Sequence, residues 1–431
     1  MHDLGIIGGQ LYIDGNFEKK NLFVKEGRIS GISAHVESCG EFYYAENKKI
    51  IPGLIDPHVH FALGAGDKVS VDDFNTGSVA AAFGGITTYI DFLDPVSKAR
   101  DLPSALEKRK TLAKGSAVNY MFHATAANPV GETENLAMEM KNLGLHTIKL
   151  FTTYSESDRR TYDPEIKELL SHSLKYGLMV LAHVENDDIV GINPEQLVCN
   201  LPEARSEEAE TTEALKLAAM VRETDGELYM VHTSSGHTVR ELIKSFSDIV
   251  GSRFHIESCP HYFSLDDSRY EKGKGYLYTM IPPLRNSSSV RLLKKYSDFV
   301  ETIGTDHCPY MQDDKAHLRL AEIPMGIGSI EYSFPIMHSI LGDRAIDKMS
   351  RRPAEIFGLY PWKGILAVGS DADIAIFDDN EEYIINGGHS SCDYSVYDGF
   401  KVKARIESTV CGGKFVIKRG RFIEGSGQCL L

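Results

Sequence analysis

The chain is short of several things, and each shortage removes a class of protein. Seven cysteines (Cys39, Cys199, Cys259, Cys308, Cys392, Cys411 and Cys429) include no Cys-x-x-Cys, and their number is odd. This argues against a disulfide scaffold or a zinc ribbon and reads as reduced, mostly buried small side chains. No run approaches the roughly 18 apolar residues of a membrane span. The start, MHDLGIIGGQLYIDG, lacks the basic stretch and apolar core of a secretion signal, so a cytoplasmic protein is expected. Positive charge is also in deficit: 46 Lys and Arg stand against 61 Asp and Glu, a net charge of −15. Nucleic acid and anionic membrane surfaces are therefore poor partners. There is no low-complexity tract, and 42% hydrophobic with 25% charged residues is an ordinary globular composition. A length of 431 residues favours two structural units, one of them large.

The first fifty residues carry short β-type segments, LYIDG, LFVKEGRIS and EFYYAEN, punctuated by Gly and Asn. The pattern returns near the other end in ADIAIFD, VKARIESTVCGG and KFVIKRGRFI. One small β-sandwich assembled from residues 1–50 and 362–431 is expected, since chain ends often lie close together. Between them, residues 51–361 contain eight apolar β-type runs: GLIDPHVHF, GITTYIDFL, NYMFHATA, HTIKLFTTY, LMVLAHVEN, ELYMVHTSS, FHIESCPHYF and ETIGTDHCP. Stretches of helical spacing separate most of them, for example Leu102 to Leu112, Pro164 to Leu174 and Glu207 to Val221. Strands alternating with helices over about 250 residues predict a (β/α)₈ TIM barrel. A doubly wound open sheet is the alternative, but no Gly-x-Gly-x-x-Gly follows the first strand.

Barrel active sites lie where the C-terminal ends of the strands converge. Those ends hold His58 and His60 on run one, Lys149 on run four, His183 on run five, His232 on run six and Asp306 on run eight. His58 and His60 alone carry little weight, because about 0.6 chance His-x-His pairs are expected at this histidine content. In a strand, however, positions i and i+2 share a face, which lets two imidazoles approach one metal ion. A lone strand-end histidine such as His123 reads as a hydrogen-bonded structural residue. Lys149 within TIKLF would be costly to bury unpaired.

The ordered set PGLIDPHVHF, DDFNTGSVAAAFGGITTYIDF, IKLFTTY, LAHVEN, YMVHTSS, ESCPHYF, PPLRN, GTDHCP, RRPAEIFGLYPWKGILAVGSDADIAIFD and DYSVYDGF resembles the amidohydrolase superfamily. Within it, the chain is similar to the cyclic-amidase branch of hydantoinases, dihydropyrimidinases, dihydroorotases and allantoinases. The resemblance implies a binuclear site for two divalent metal ions, zinc by family default. His58, His60 and Asp306 would hold one ion and His183 and His232 the other. Lys149, converted by carbon dioxide to N6-carboxylysine, would bridge both. It also implies ring-amide hydrolysis of a cyclic ureide by a metal-bridging hydroxide, with Asp306 as proton acceptor and Tyr154 as hydrogen-bond donor to the developing oxyanion.

Dihydroorotases follow His-x-His with an arginine that pairs with the substrate carboxylate, whereas this chain has Phe61. A phenyl ring does not replace a bidentate arginine, so a neutral cyclic amide of hydantoin or dihydropyrimidine type is expected, with allantoinase and dihydroorotase activity as alternatives. The resemblance places Phe61, Ile281 and Met325 at the substrate as well, the last where hydantoinases usually have Asn in Pro-Asn-Gly. Ring contacts from the Ile281 and Met325 segments are largely backbone ones in that family. A homo-oligomer, dimer or tetramer, is implied too. Some relatives of dihydropyrimidinases are non-catalytic scaffolds that have lost metal ligands, but all six metal positions are present here.

Overall fold

The computed structural model describes residues 1–191 and 193–431. Eight parallel strands succeed one another in chain order in a single sheet: Leu54–Val59, Ile86–Phe92, Asn119–Thr125, Thr147–Phe151, Met179–His183, Leu228–Met230, Phe254–Ser258 and Thr302–Ile303. Near-continuous burial along each of them fits their β-branched and apolar sequences, since parallel strands are covered on both faces. The sheet closes on itself just beyond the last ladder. Val59 and His307 form a parallel bridge, Asp306 N–H donates to His58 O at 2.8 Å, and His60 N–H donates to His307 O at 2.9 Å.

The helices pack outside. Those at Leu102–Leu112, Asp163–Tyr176 and Glu207–Thr224 occupy the three stretches of helical spacing. Leu136, Ile166, Leu169, Leu217 and Val221 from the outer layer join strand residues such as Ile148, Leu150 and Val180 in one core.

An additional sheet domain is built by both chain ends. Its four-stranded sheet uses N-terminal residues alone, in the order Arg28–Ser33, Asn21–Lys25, His2–Ile7, Cys39–Tyr44. Its seven-stranded sheet is shared: Ile374–Asp378 pairs antiparallel with Lys49–Pro52, with Ile374 opposite Pro52 and Ile376 opposite Ile50. The two sheets enclose Leu4, Ile6, Leu11, Leu22, Val24, Ile50, Ile374, Ile376 and Val410. The last residues return to the barrel, where Cys429 bridges Tyr120. No described helix is long and apolar enough to cross a membrane.

Candidate active site at the C-terminal mouth of the barrel

His58 lies within the first strand and His60 immediately after it, so both rings project to one side. Nε2 of each meets the other at 3.1 Å, and both face Asp306 Oδ1, at 3.2 Å from His58 and 3.1 Å from His60. His183 closes the fifth strand, and its Nδ1 lies 3.0 Å from His232 Nε2. The two groups adjoin, since the rings of His58 and His232 are 5.2 Å apart.

His232 and Asp306 differ from the expectation in one respect: they lie past the ends of their strands, not on them. Their φ angles are 37° and 50°, and Tyr154 has φ 73°. Non-glycine residues in this region carry strain, which typically clusters at functional sites. Departure from the ladder is what frees the backbone to take these angles.

Carboxylates behind the imidazoles fix which nitrogen faces the cavity. His58 Nδ1–H donates to Glu257 Oε1 at 2.8 Å, the same oxygen accepts from His232 N–H at 2.7 Å, and Tyr229 O–H donates to Oε2 at 2.8 Å. His183 Nε2–H donates to Glu185 Oε2 at 2.7 Å, and Arg205 is ion-paired to that oxygen. Each arrangement leaves the opposite nitrogen with its lone pair toward the site, as in carboxylate–histidine–metal sets. Glu257, Glu185 and Arg205 were not singled out from sequence. The two glutamates stand inside HIESCPHYF and LAHVEN, but nothing in those strings says that they turn back onto a histidine.

This donor set fits a bound cation. Lone pairs of His58 Nε2 and His60 Nε2 converge with the Asp306 carboxylate, and their ligand atoms all lie within 4.8 Å of one another. Facing acceptors repel unless positive charge lies between them. Burial lowers the pKa of His60, His183 and His232, which keeps them neutral. Asp306 is held well below the ordinary carboxylate range: burial opposes ionisation, but His58, His60 and His232 together outweigh it. Burial of His58 is outweighed in turn by Glu257 and Asp306, which raise it to about 9, so that a cation binding there displaces a proton. Neutral imidazole and ionised carboxylate are the states that ligate metal.

Lys149 is 3% exposed. Its Nζ sits 5.0 Å from the Phe92 ring centroid and 5.5 Å from that of Phe151. Burial lowers it to about 8 against the opposing pull of Asp306 and Glu257. Tyr154 lies beside His183, with ring centroids 5.3 Å apart and the planes tilted by 40°. Its ring lies 4.4 Å from the Arg159 guanidinium carbon and 5.0 Å from that of Arg205. Burial raises the phenol to about 12, so it stays a donor at neutral pH.

A cavity of about 630 Å³ unites His60, Lys149, Tyr154, His183, His232 and Asp306 with Ile281 and Met325. Leu63, Gly64, Gly66, Asp67 and Lys68, from the segment that follows His60, form part of its wall. Phe61 is not brought there, which corrects its expected place at the substrate. It is 0% exposed, its ring enclosed by Phe74, Tyr89 and His307. The nearby cation, Arg109, donates to Phe61 O at 2.9 Å and pairs with Asp91 Oδ1 at 2.5 Å, buried and away from the cavity. His123 makes two bonds of its own, to Thr147 Oγ1 at 2.6 Å and Pro57 O at 3.0 Å, as a structural histidine does.

The amidohydrolase family model matches residues 50–416. A D-hydantoinase of Geobacillus stearothermophilus is 31% identical, the alignment spanning 98% of this chain and 95% of that one. A dihydropyrimidinase of Arabidopsis thaliana is 29% identical over 95% of this chain and 81% of its own length. The crystal structure of dihydropyrimidinase from Brevibacillus agri superposes with a TM-score of 0.92 at 27% identity, covering 100% of this chain and 98% of that one. With the motif order, the closed barrel and this match over most of its length, the chain belongs to the amidohydrolase family.

Proposed function

We propose that the protein hydrolyses the ring amide C–N bond of a cyclic ureide of the hydantoin or dihydropyrimidine type. One observation carries this reading: His60, Lys149, Tyr154, His183, His232 and Asp306, drawn from five strand ends and the loop after the fourth, line one cavity. The D-hydantoinase and dihydropyrimidinase relatives support the substrate class.

His58, His60 and Asp306 would hold one divalent ion, and His183 and His232 a second. Imidazole and carboxylate donors suit zinc, the metal we assign. Lys149 would join the two as its carbamate, formed when the amine adds to carbon dioxide and releases a proton. An anion there replaces a cation otherwise buried against Phe92 and Phe151. Bound metal supplies a water acidified towards about pH 7 and a polarised carbonyl.

The remaining work falls to side chains. Asp306 Oδ accepts the proton of the attacking water and returns it to the departing ring nitrogen. Tyr154 O–H donates to the carbonyl oxygen as negative charge grows on it. Glu257 and Glu185 hold the imidazoles in the tautomer that presents a lone pair. Phe61 stands at the sequence position where a dihydroorotase has its arginine, and among the described residues the guanidinium that lines the cavity is that of Arg159, in the loop after the fourth strand.

The reading extends to residues 1–50 with 362–431 as the sheet domain and 51–361 as the barrel; the pairing of Lys49–Pro52 with Ile374–Asp378 supports a join a few residues later. A cytoplasmic dimer or tetramer completes it. Seven unpaired cysteines support that compartment, and the exposed Phe42–Tyr44 stack on the edge strand Cys39–Tyr44 supports association.

The test is parallel hydrolysis of dihydrouracil, hydantoin, 5-substituted hydantoins, allantoin and dihydroorotate, with elemental analysis of the purified protein. Ring opening of hydantoin or dihydrouracil, about two metal ions per chain, and loss of activity on chelation are expected. Preference for dihydroorotate, or a well-folded metal-free protein without turnover, overturns the reading.

A further inference from the structure

Lys315 ends the short helix Gln312–Lys315 and is 0% exposed. Among the described residues no carboxylate is paired with it; the titratable groups that act on it are the thiols of Cys308 and Cys392. Its Nζ instead donates to two main-chain carbonyls, Thr279 O at 2.8 Å and Gly326 O at 2.5 Å. A buried ammonium without an anion is costly, and nothing in the proposed hydrolysis uses it.

The two carbonyls explain the position. Thr279 immediately precedes Met280 and Ile281, and Gly326 immediately follows Met325. Met280, Ile281, Met325 and Gly326 line the cavity on two adjacent segments. The same segments meet directly where Gly326 N–H donates to Thr279 O at 3.0 Å. The Gly326 segment is pressed inward: φ is +152° there, and a Cβ would meet Cys308 O at 2.3 Å. Burial lowers the lysine to about 7, yet both the ammonium and the neutral amine keep at least two N–H groups for the two carbonyls.

We propose that Lys315 is a positioning residue that sets the spacing between the Met280–Ile281 and Met325–Gly326 segments, and through it the size of ring the site accepts. This rests on the hydrolase reading above. Five-membered hydantoin and six-membered dihydrouracil differ in the width they occupy, so a change of spacing acts on them unequally. It acts through substrate binding, because Lys315 touches none of the residues assigned to proton transfer.

The experiment compares wild type, Lys315→Met and Lys315→Gln as metal-loaded proteins, reading KM and kcat separately for hydantoin and dihydrouracil with metal content and Tm. Methionine removes both donors. In that variant KM should rise about tenfold for one ring while kcat stays within about threefold, and the ratio of kcat/KM between the two rings should shift by about fivefold or more. Glutamine retains an N–H donor and should recover part of the shift. Variants that lose activity on both rings in the same proportion, that keep wild-type parameters, or that fail to fold in both forms overturn the proposal and leave Lys315 a stabilising residue. Wild-type protein inactive on both rings overturns the hydrolase reading instead.

Discussion

Tyr154 takes a backbone conformation that costs energy for any side chain but glycine, with φ 73°, and its ring lies beside His183 and within 5.0 Å of the Arg159 and Arg205 guanidinium carbons. Such strain persists only where surrounding contacts fix it. Here Ser157 N–H and Arg159 N–H both return to Tyr154 O, at 3.2 Å each. Removing the hydroxyl leaves the ring, its contact with His183 and the metal-site residues in place. Tyr154→Phe is therefore expected to lower kcat by about 10² to 10³-fold, the usual loss of one oxyanion donor, with KM much less affected. Steady-state kinetics on hydantoin check this; an unchanged kcat removes the assignment. Asp306→Asn should likewise act on turnover far more than on affinity, because an amide cannot accept the water's proton. An effect confined to KM would contradict that role.

Elements deliver these residues by ending early. The sixth strand stops at Met230 and the eighth at Ile303, so His232 and Asp306 stand on backbone no longer bound to ladder geometry. Support comes from packing beneath. The helix Phe74–Phe83 is capped by Asp73, whose side chain accepts from Asn75 and Thr76 N–H, and it lies against Phe61 at Gly77. A Cβ added at Gly77 would come within 2.2 Å of the Phe61 ring. Phe61 is enclosed and cannot swing aside, so Gly77→Ala should cost about 1–3 kcal/mol through overpacking. Chemical denaturation checks the figure. Since Phe61 follows His60, a fall in metal occupancy should accompany it.

At the scale of the molecule, the two ends of the barrel do different work. Opposite the cavity, His255 joins three strand starts, donating to Glu227 Oε1 at 3.0 Å and Glu301 Oε2 at 2.9 Å. Burial lowers its pKa, but the two glutamates outweigh it and bring the ring from 6.5 up to about 9. A histidine whose folded pKa lies above its unfolded value contributes stability in full below about pH 6.5, and that contribution fades as pH rises to about 9. Thermal unfolding of wild type and His255→Gln should thus differ most at pH 6 and converge by pH 9. A gap that stays constant or widens with pH would refute the linkage.

The barrel and the additional sheet domain were legible in the sequence, and so was the list of candidate residues in and just after the barrel strands. Hydrophobic alternation and spacing are local properties that the chain writes out residue by residue. The grouping of His58, His60 and Asp306 came from the family resemblance; barrel closure, which brings the first strand beside the last, is the physical reason they meet. Other features belong to tertiary structure alone. Glu257 reaches His58 across 199 residues of chain, Lys315 finds carbonyls on two separate loops, and Phe61 turns under the helix and not into the cavity. Direction of a side chain past a strand end depends on local φ and on what packs there, and neither is periodic. Sequence by itself determined which groups are available for the chemistry; the tertiary structure decided which of them face one another, because only chain closure brings distant carboxylates, carbonyls and rings within hydrogen-bonding and packing distance.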